Sequence, residues 1–221
     1  MATASARPWP RPQGGLGRRP SAASAWPCRE VGRDRYCSAV PTFLSCSIED
    51  VVVVVPDVHG DERGKFVETY RRQWLPLGRE MVQANRSEKQ AGAVVGLHYH
   101  LHQADYWYVL RGRARVVLHD LREGSATDGV TETIELRGEE DRGLFIPPGV
   151  AHGFAALSDV LLWYLVDSYY NPADELGLSW DDPEVGADWG LADPVLSARD
   201  RANPRRAEIP AELRPRAGLR T

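Results

Sequence analysis

From residue 51 to residue 166 the chain alternates short β-branched or aromatic runs with turn signals, and that alternation restricts it to an all-β fold. The runs fall at 51–56, 66–70, 81–85, 93–99, 104–110, 114–120, 131–136, 142–146, 153–157 and 160–166. Between them stand Asp61-Glu62-Arg63-Gly64, Arg111-Gly112, Asp128-Gly129 and Pro148-Gly149, residue types that reverse a chain. Short strands at near-regular spacing predict a sandwich or a closed barrel. The run from Val51 to Val55 reads as a buried strand, and residues 73–79 read as a helical turn. No internal repeat is visible.

A chain of 221 residues is most simply one domain with appendages, large enough to bury a core without disulfides or metal. Pro8, Pro10, Pro12, Pro20 and Pro27 break the first segment, so residues 1–46 are expected to be a disordered extension. The domain is expected at 47–203. Residues 204–221, with Pro204, Pro210 and Pro215, read as a tail or surface strap. A formal charge of −4 gives no reason to expect nucleic acid or an anionic membrane as partner. Cys28, Cys37 and Cys46 are odd in number and form no zinc-type pair, which suits a reducing cytoplasm. No apolar run approaches the ~20 residues that span a bilayer.

The chemistry-bearing residues lie in separated segments. His98-Tyr99-His100 places two histidines at i and i+2, on one face of a strand. Asp105 follows after four intervening residues and Gly112 after six more, while Pro147-Pro148-Gly149-Val150-Ala151-His152 supplies a third histidine. These spacings resemble the two motifs of the cupin barrels. There the set His98, His100, Asp105 and His152 would form a nitrogen/oxygen site suited to Fe, Mn, Ni or Zn. The competing reading makes His100 an inward polar residue bonded to a neighbour. His102 makes the run less selective, and His59 and His119 are read as surface or structural.

A second pattern covers residues 48–201. Its blocks are Gly60-Asp61-Glu62-Arg63-Gly64-Lys65-Phe66-Val67-Glu68, Val82-Gln83-Ala84-Asn85-Arg86-Ser87, Gly96-Leu97-His98-Tyr99 and Asp120-Leu121-Arg122-Glu123-Gly124-Ser125-Ala126-Thr127. Then come Ile146-Pro147-Pro148-Gly149-Val150-Ala151-His152-Gly153-Phe154, Tyr164 through Tyr169-Tyr170-Asn171-Pro172, Trp180-Asp181-Asp182-Pro183 and Ser197-Ala198-Arg199-Asp200. In this order they resemble the dTDP-4-dehydrorhamnose 3,5-epimerase family, a metal-free branch of the cupins. The resemblance implies a cupin-type double-stranded β-helix, or jelly-roll barrel, with short helices and irregular termini. It also implies a cytoplasmic homodimer that completes its sites across the interface, a dTDP-sugar substrate, no cofactor, and a place in deoxysugar and polysaccharide biosynthesis.

The implied reaction is epimerisation of a dTDP-4-keto-6-deoxyhexose at C3, C5 or both. A ketone acidifies the C–H bonds beside it. One group removes a proton to give an enolate, and a second returns it to the opposite face. The resemblance makes His98 the base, Asp200 its orienting partner and Tyr164 the acid. It places Arg63, Glu68, Gln83, Asn85, His152 and Tyr170 around the substrate.

Two positions depart from the family. Val95 stands where an arginine is usual before Gly-Leu-His, and Asp105 stands where a lysine is expected to stabilise the enolate oxygen. A carboxylate there opposes the developing negative charge; losing one such donor costs roughly 3 kcal/mol. His100 replaces the family's usual glutamine. All these readings support an enzyme. They leave open a metal-dependent cupin enzyme using His98, His100, Asp105 and His152, and a non-catalytic sugar-nucleotide-binding paralogue.

Overall fold

The computed structural model describes residues 41–75 and 79–218. In chain order the strands are β1 (Thr42–Ser45), β2 (Val52–Val55), β3 (Val58–Asp61), β4 (Gly64–Val67), β5 (Gln83–Lys89), β6 (Val94–Tyr99) and β7 (Asp105–Arg111). They continue as β8 (Arg113–Asp120), β9 (Thr131–Arg137), β10 (Gly143–Ile146), β11 (Val150–Ala156), β12 (Val160–Val166) and β13 (Leu176–Gly177). A short helix, α1 (Ala198–Ala202), follows. One sheet has the order β1-β2-β10-β7-β12-β5 and the other β13-β6-β11-β8-β9, while β3 and β4 form a separate hairpin. The named strands pair antiparallel throughout.

The core lies where residues of the two sheets meet. Val53, Val109, Leu144 and Leu162 of the six-stranded sheet pack with Val116, Leu118, Leu136 and Phe154 of the five-stranded sheet. These side chains alternate along their strands with residues on the outer faces, as the pleat requires. The outer face of the five-stranded sheet, with Leu97, Tyr99, Val117 and Ala151, is covered by Leu178, Val185, Trp189 and Ile209. On the other sheet Val54, Tyr106, Tyr108 and Phe145 pack against Trp74 and Leu75. This is the all-β fold that the strand spacing predicts and the jelly-roll barrel that the family resemblance implies.

Several boundaries differ from the sequence reading. β1 begins inside the stretch expected to be an extension, because its pairing with β2 holds it in the sheet. Residues 1–40, with Cys28 and Cys37, lie outside the described residues. The expected helical turn is a 3₁₀ turn at Arg72–Trp74, and residues 76–78 are outside the description. The C-terminal stretch packs as a strap: the Tyr99 hydroxyl donates to the Leu213 carbonyl at 3.1 Å, and Ile209 is buried. β11 starts at Val150 rather than Gly153, which puts His152 inside a strand.

Candidate active site

The site is built on a break in strand pairing. β11 pairs His152 with His98 and Phe154 with Val95. One residue, Gly153, therefore faces two, Gly96 and Leu97. Such a bulge re-aims side chains. Val95 and His98, three apart, both reach the same cavity. Glycine is needed opposite the bulge, since a Cβ on Gly153 would lie 2.5 Å from the Val95 carbonyl oxygen. Gly96 is tight in the same way: its Cβ would stand 2.9 Å from Cβ of Asp200. That close approach lets α1 lie against β6. Ser197 caps the helix by accepting from the Asp200 N–H at 3.1 Å.

Three imidazoles meet beside the bulge. The His98 ring centroid is 4.3 Å from that of His152 and 5.5 Å from that of His100. One potential ligand nitrogen from each lies within 4.8 Å of the other two. Two of the rings are also tied to the backbone. His152 Nδ1 donates to the Val150 carbonyl at 2.8 Å and His100 Nδ1 to the Asp174 carbonyl at 2.7 Å. A neutral imidazole that donates through one nitrogen keeps a lone pair on the other. His152 Nε2 is buried and has no hydrogen-bond partner among the described residues.

Asp105 completes the cluster. Its Oδ2 is 3.7 Å from His152 Nε2 and accepts from Trp107 Nε1 at 3.0 Å; its Oδ1 accepts from Gln103 Nε2 at 2.9 Å. Burial alone would raise this carboxyl. The neighbouring His152 and His100 and the Trp107 N–H instead hold it below the usual carboxylate range. His98 is pushed well below the ordinary histidine value by burial and by the neighbouring His152 and His100, so its ring is neutral at pH 7. His100 moves the same way, chiefly through burial.

A cavity of about 280 Å³ opens onto this cluster. Its walls include His98, Asp105, Trp107, Tyr164, Asp200 and Lys89. Burial, followed by the charges of Asp105 and Glu175, raises the Tyr164 phenol, which stays protonated and able to donate. A larger cleft of about 770 Å³ lies under the C-terminal strap, beside Arg122 and Arg214. None of the three clustered histidines lines it.

The structure thus brings His98, Tyr164 and Asp200 to one cavity, from β6, β12 and α1. It does not make the expected His98–Asp200 hydrogen bond. Among the described residues none joins them: Asp200 sits against Gly96, and the ring neighbours of His98 are His152 and His100. The expected substrate contacts are more scattered. Arg63 lies on the exposed β3–β4 hairpin, paired with Asp61, and Glu68 is paired with Arg71. Gln83 Nε2 donates to Asn85 Oδ1 at 2.9 Å, and Gln83 Oε1 accepts from the Tyr170 N–H at 3.2 Å. None of these five residues lines the cavity, whereas His152 stands in the cluster behind it.

Sequence reasoning missed Lys89 and Ser87 on the cavity wall. The period of two on β5 signals them, because 83, 85, 87 and 89 are its less exposed positions.

Comparison with known proteins adds a family to this geometry. The profile of the dTDP-4-dehydrorhamnose 3,5-epimerases matches residues 45–208. The chain is 38% identical over 168 residues to the enzyme of that name from Methanothermobacter thermautotrophicus, covering 72% of this chain and 91% of the relative. It is also 38% identical over 162 residues to a dTDP-4-dehydrorhamnose 3-epimerase of Streptomyces niveus, covering 70% and 78%. Among solved structures, the dTDP-6-deoxy-D-glucose-3,5-epimerase of Legionella pneumophila, in complex with dTDP-4-keto-L-rhamnose, superposes with a TM-score of 0.76 at 35% identity. That match covers 80% of this chain and 98% of the other.

Proposed function

The chain belongs to the dTDP-4-dehydrorhamnose 3,5-epimerase family, a family of isomerases, and from that premise we propose that it inverts C3, C5 or both of a dTDP-4-keto-6-deoxyhexose. The observation that carries this reading is the convergence of His98, Tyr164 and Asp200 on one cavity from three separate elements.

His98 takes the proton from the carbon beside the ketone. Its neutral ring has the lone pair that a base needs. Asp200, on the same wall, offers countercharge to the imidazolium that forms. Tyr164 returns a proton from its protonated phenol. Asp105 faces the cavity where the resemblance leads one to expect a lysine, so Lys89 is the wall's candidate cation for the enolate oxygen. Val95 gives the substrate an apolar neighbour in place of an arginine, which lowers affinity for the diphosphate.

The working form is a homodimer. The hairpin that carries Arg63 and Glu68 stands exposed on one chain, with Phe66 64% and Val58 50% exposed, and is free to meet the cavity of a second copy. The domain runs through the C-terminal strap and follows an N-terminal appendage. No helix among the described residues is long and apolar enough to cross a membrane. We place the enzyme in the cytoplasm, in deoxysugar biosynthesis, acting without a cofactor in its epimerising form.

Proton NMR of dTDP-4-keto-6-deoxyglucose with the purified protein in D₂O tests the reading. The expected result is loss of the C3 or C5 proton signal faster than without enzyme. Folded protein that leaves both signals at the uncatalysed rate refutes it.

A further inference from the structure

Three features of the histidine cluster exceed what a proton-transfer site requires. The first is convergence: donor nitrogens of His98, His100 and His152 lie within 4.8 Å of one another, with Asp105 Oδ2 3.7 Å from His152 Nε2. A base needs one such ring. Two further imidazoles at this distance have no part in removing a proton.

The second is orientation. His100 and His152 bond backbone carbonyls, of Asp174 and Val150, through Nδ1, which leaves the lone pair of each on Nε2. Fixing a ring through its second nitrogen is what histidine ligands of metals do. The third is an unmet demand. His152 Nε2 is buried without a hydrogen-bond partner among the described residues, in a residue only 2% exposed, and such a group is costly unless something binds it. His100 Nε2 has only the Gln103 amide, at 3.3 Å.

We infer that this chain binds one divalent transition-metal ion through His98, His100 and His152, with Asp105 in reach as a fourth ligand. Three imidazoles and a carboxylate suit Zn²⁺, Ni²⁺, Fe²⁺ or Mn²⁺ and exclude a site built for Ca²⁺ or Mg²⁺. The acidic residue fits this set, whereas a lysine would repel the ion. His98 opens onto the cavity, so the ion would keep a side accessible to a ligand oxygen.

The inference shares its pocket with the proposed epimerisation and parts from it at one residue. A ligated His98 has no free lone pair. Metal-loaded protein therefore cannot use it as the base, and the His98 mechanism applies to the metal-free form. Binding and base catalysis are mutually exclusive at this ring.

The test uses the full chain, stripped with chelator and titrated with Zn²⁺ and, separately, Co²⁺. Metal analysis after dialysis is expected to find one ion per chain. A hundredfold excess over Kd is expected to raise Tm by roughly 5–10 °C. Co²⁺ is expected to give the visible absorption of a low-symmetry nitrogen/oxygen site. His100→Gln, which leaves His98, Tyr164 and Asp200 in place, is expected to weaken Zn²⁺ binding at least tenfold; His152→Ala is the second variant should His100→Gln fold poorly.

No retained metal and no shift in Tm overturns the site, as does unchanged affinity in both variants. Solvent exchange into the keto sugar separates the two readings. Exchange by stripped protein that one equivalent of Zn²⁺ abolishes, and that His100→Gln protects, supports both. Exchange that requires metal upholds the site and overturns His98 as base.

Discussion

Two buried polar clusters in this barrel differ in how completely they are satisfied. At the end of β8, Asp120 is fully buried and both its oxygens are used. Oδ1 accepts from the Arg122 backbone N–H and Nε at 2.9 Å. Oδ2 accepts from Arg122 Nη2, Ser125 Oγ and Thr127 Oγ1 at 2.7–2.9 Å. Arg122 in turn reaches the Glu49 carbonyl at 2.7 Å and Asp50 at 3.2 Å. The other cluster, His98, His100, His152 and Asp105, leaves a buried nitrogen bare and faces a cavity. A closed network holds the chain together, whereas an open one has capacity left for a ligand. Asp120, His98 and His152 all belong to blocks that carry the family resemblance, so resemblance alone does not separate scaffold from chemistry.

The largest expected effect falls on the closed cluster. Asp120→Ala takes from a buried guanidinium its main partner and leaves it the Glu49 carbonyl and the exposed Asp50, and removing one partner of a buried pair costs about 3–5 kcal/mol. Thermal unfolding should show Tm lower by about 10 °C or more, while folded protein keeps its exchange rate. An unchanged Tm breaks the contrast at once. The open cluster should answer in the opposite way. The Tyr164 hydroxyl has no hydrogen bond among the described residues. Tyr164→Phe should therefore leave Tm within about 2 °C and lower the exchange rate about 10²-fold or more, the usual share of a general acid. A large loss of stability would move Tyr164 to the scaffold side.

The strand runs were legible because β-branched residues and glycine turns alternate at short spacing; Val51 to Val55 is the clearest example. β3 was not, since His59, Gly60 and Asp61 have little strand preference and the hairpin is held by pairing with β4. His98, His100, Asp105 and His152 could be named from motif spacing, yet not the bulge that turns His98 inward. A bulge breaks the period of two, and its trace in the sequence is only Gly96 and Gly153, meaningful once the strands are paired. The position of Asp200 against Gly96 is hidden in the sequence for a similar reason. Sequence order brings α1 to β6, but the tight fit of Gly96 decides where the carboxylate lies.

His119 gives an intermediate case, a buried imidazole in the scaffold with one bare nitrogen. Its Nδ1 is 2.8 Å from Thr131 Oγ1, Nε2 has no partner among the described residues, and burial, then Arg206, lowers its pKa to about 4. The unfolded chain binds this proton at about 6.5, so it holds more protons than the folded one between those values. Stability is fully present above pH 6.5 and falls as pH drops toward 4, by about 3 kcal/mol at most. Denaturant unfolding across that window should show the slope, and His119→Gln should flatten it. A slope that survives the substitution assigns the acid sensitivity elsewhere.

The smallest test sets one polar side chain from each cluster side by side. Thr127→Val removes a 2.7 Å bond to Asp120 and a 3.1 Å bond accepted from the Glu49 N–H, and should cost about 1–2 kcal/mol of stability with no change in exchange. Gln103→Leu removes the amide that bonds Asp105 Oδ1 and touches His100. Its stability cost should be similar or smaller, but it frees His100 Nε2 and loosens Asp105, so its readout is in Zn²⁺ affinity and exchange rate. If both variants lose only stability, the second cluster is scaffold too. If only Gln103→Leu moves the functional readouts, an incomplete set of hydrogen bonds is the physical mark that tells the site from its support.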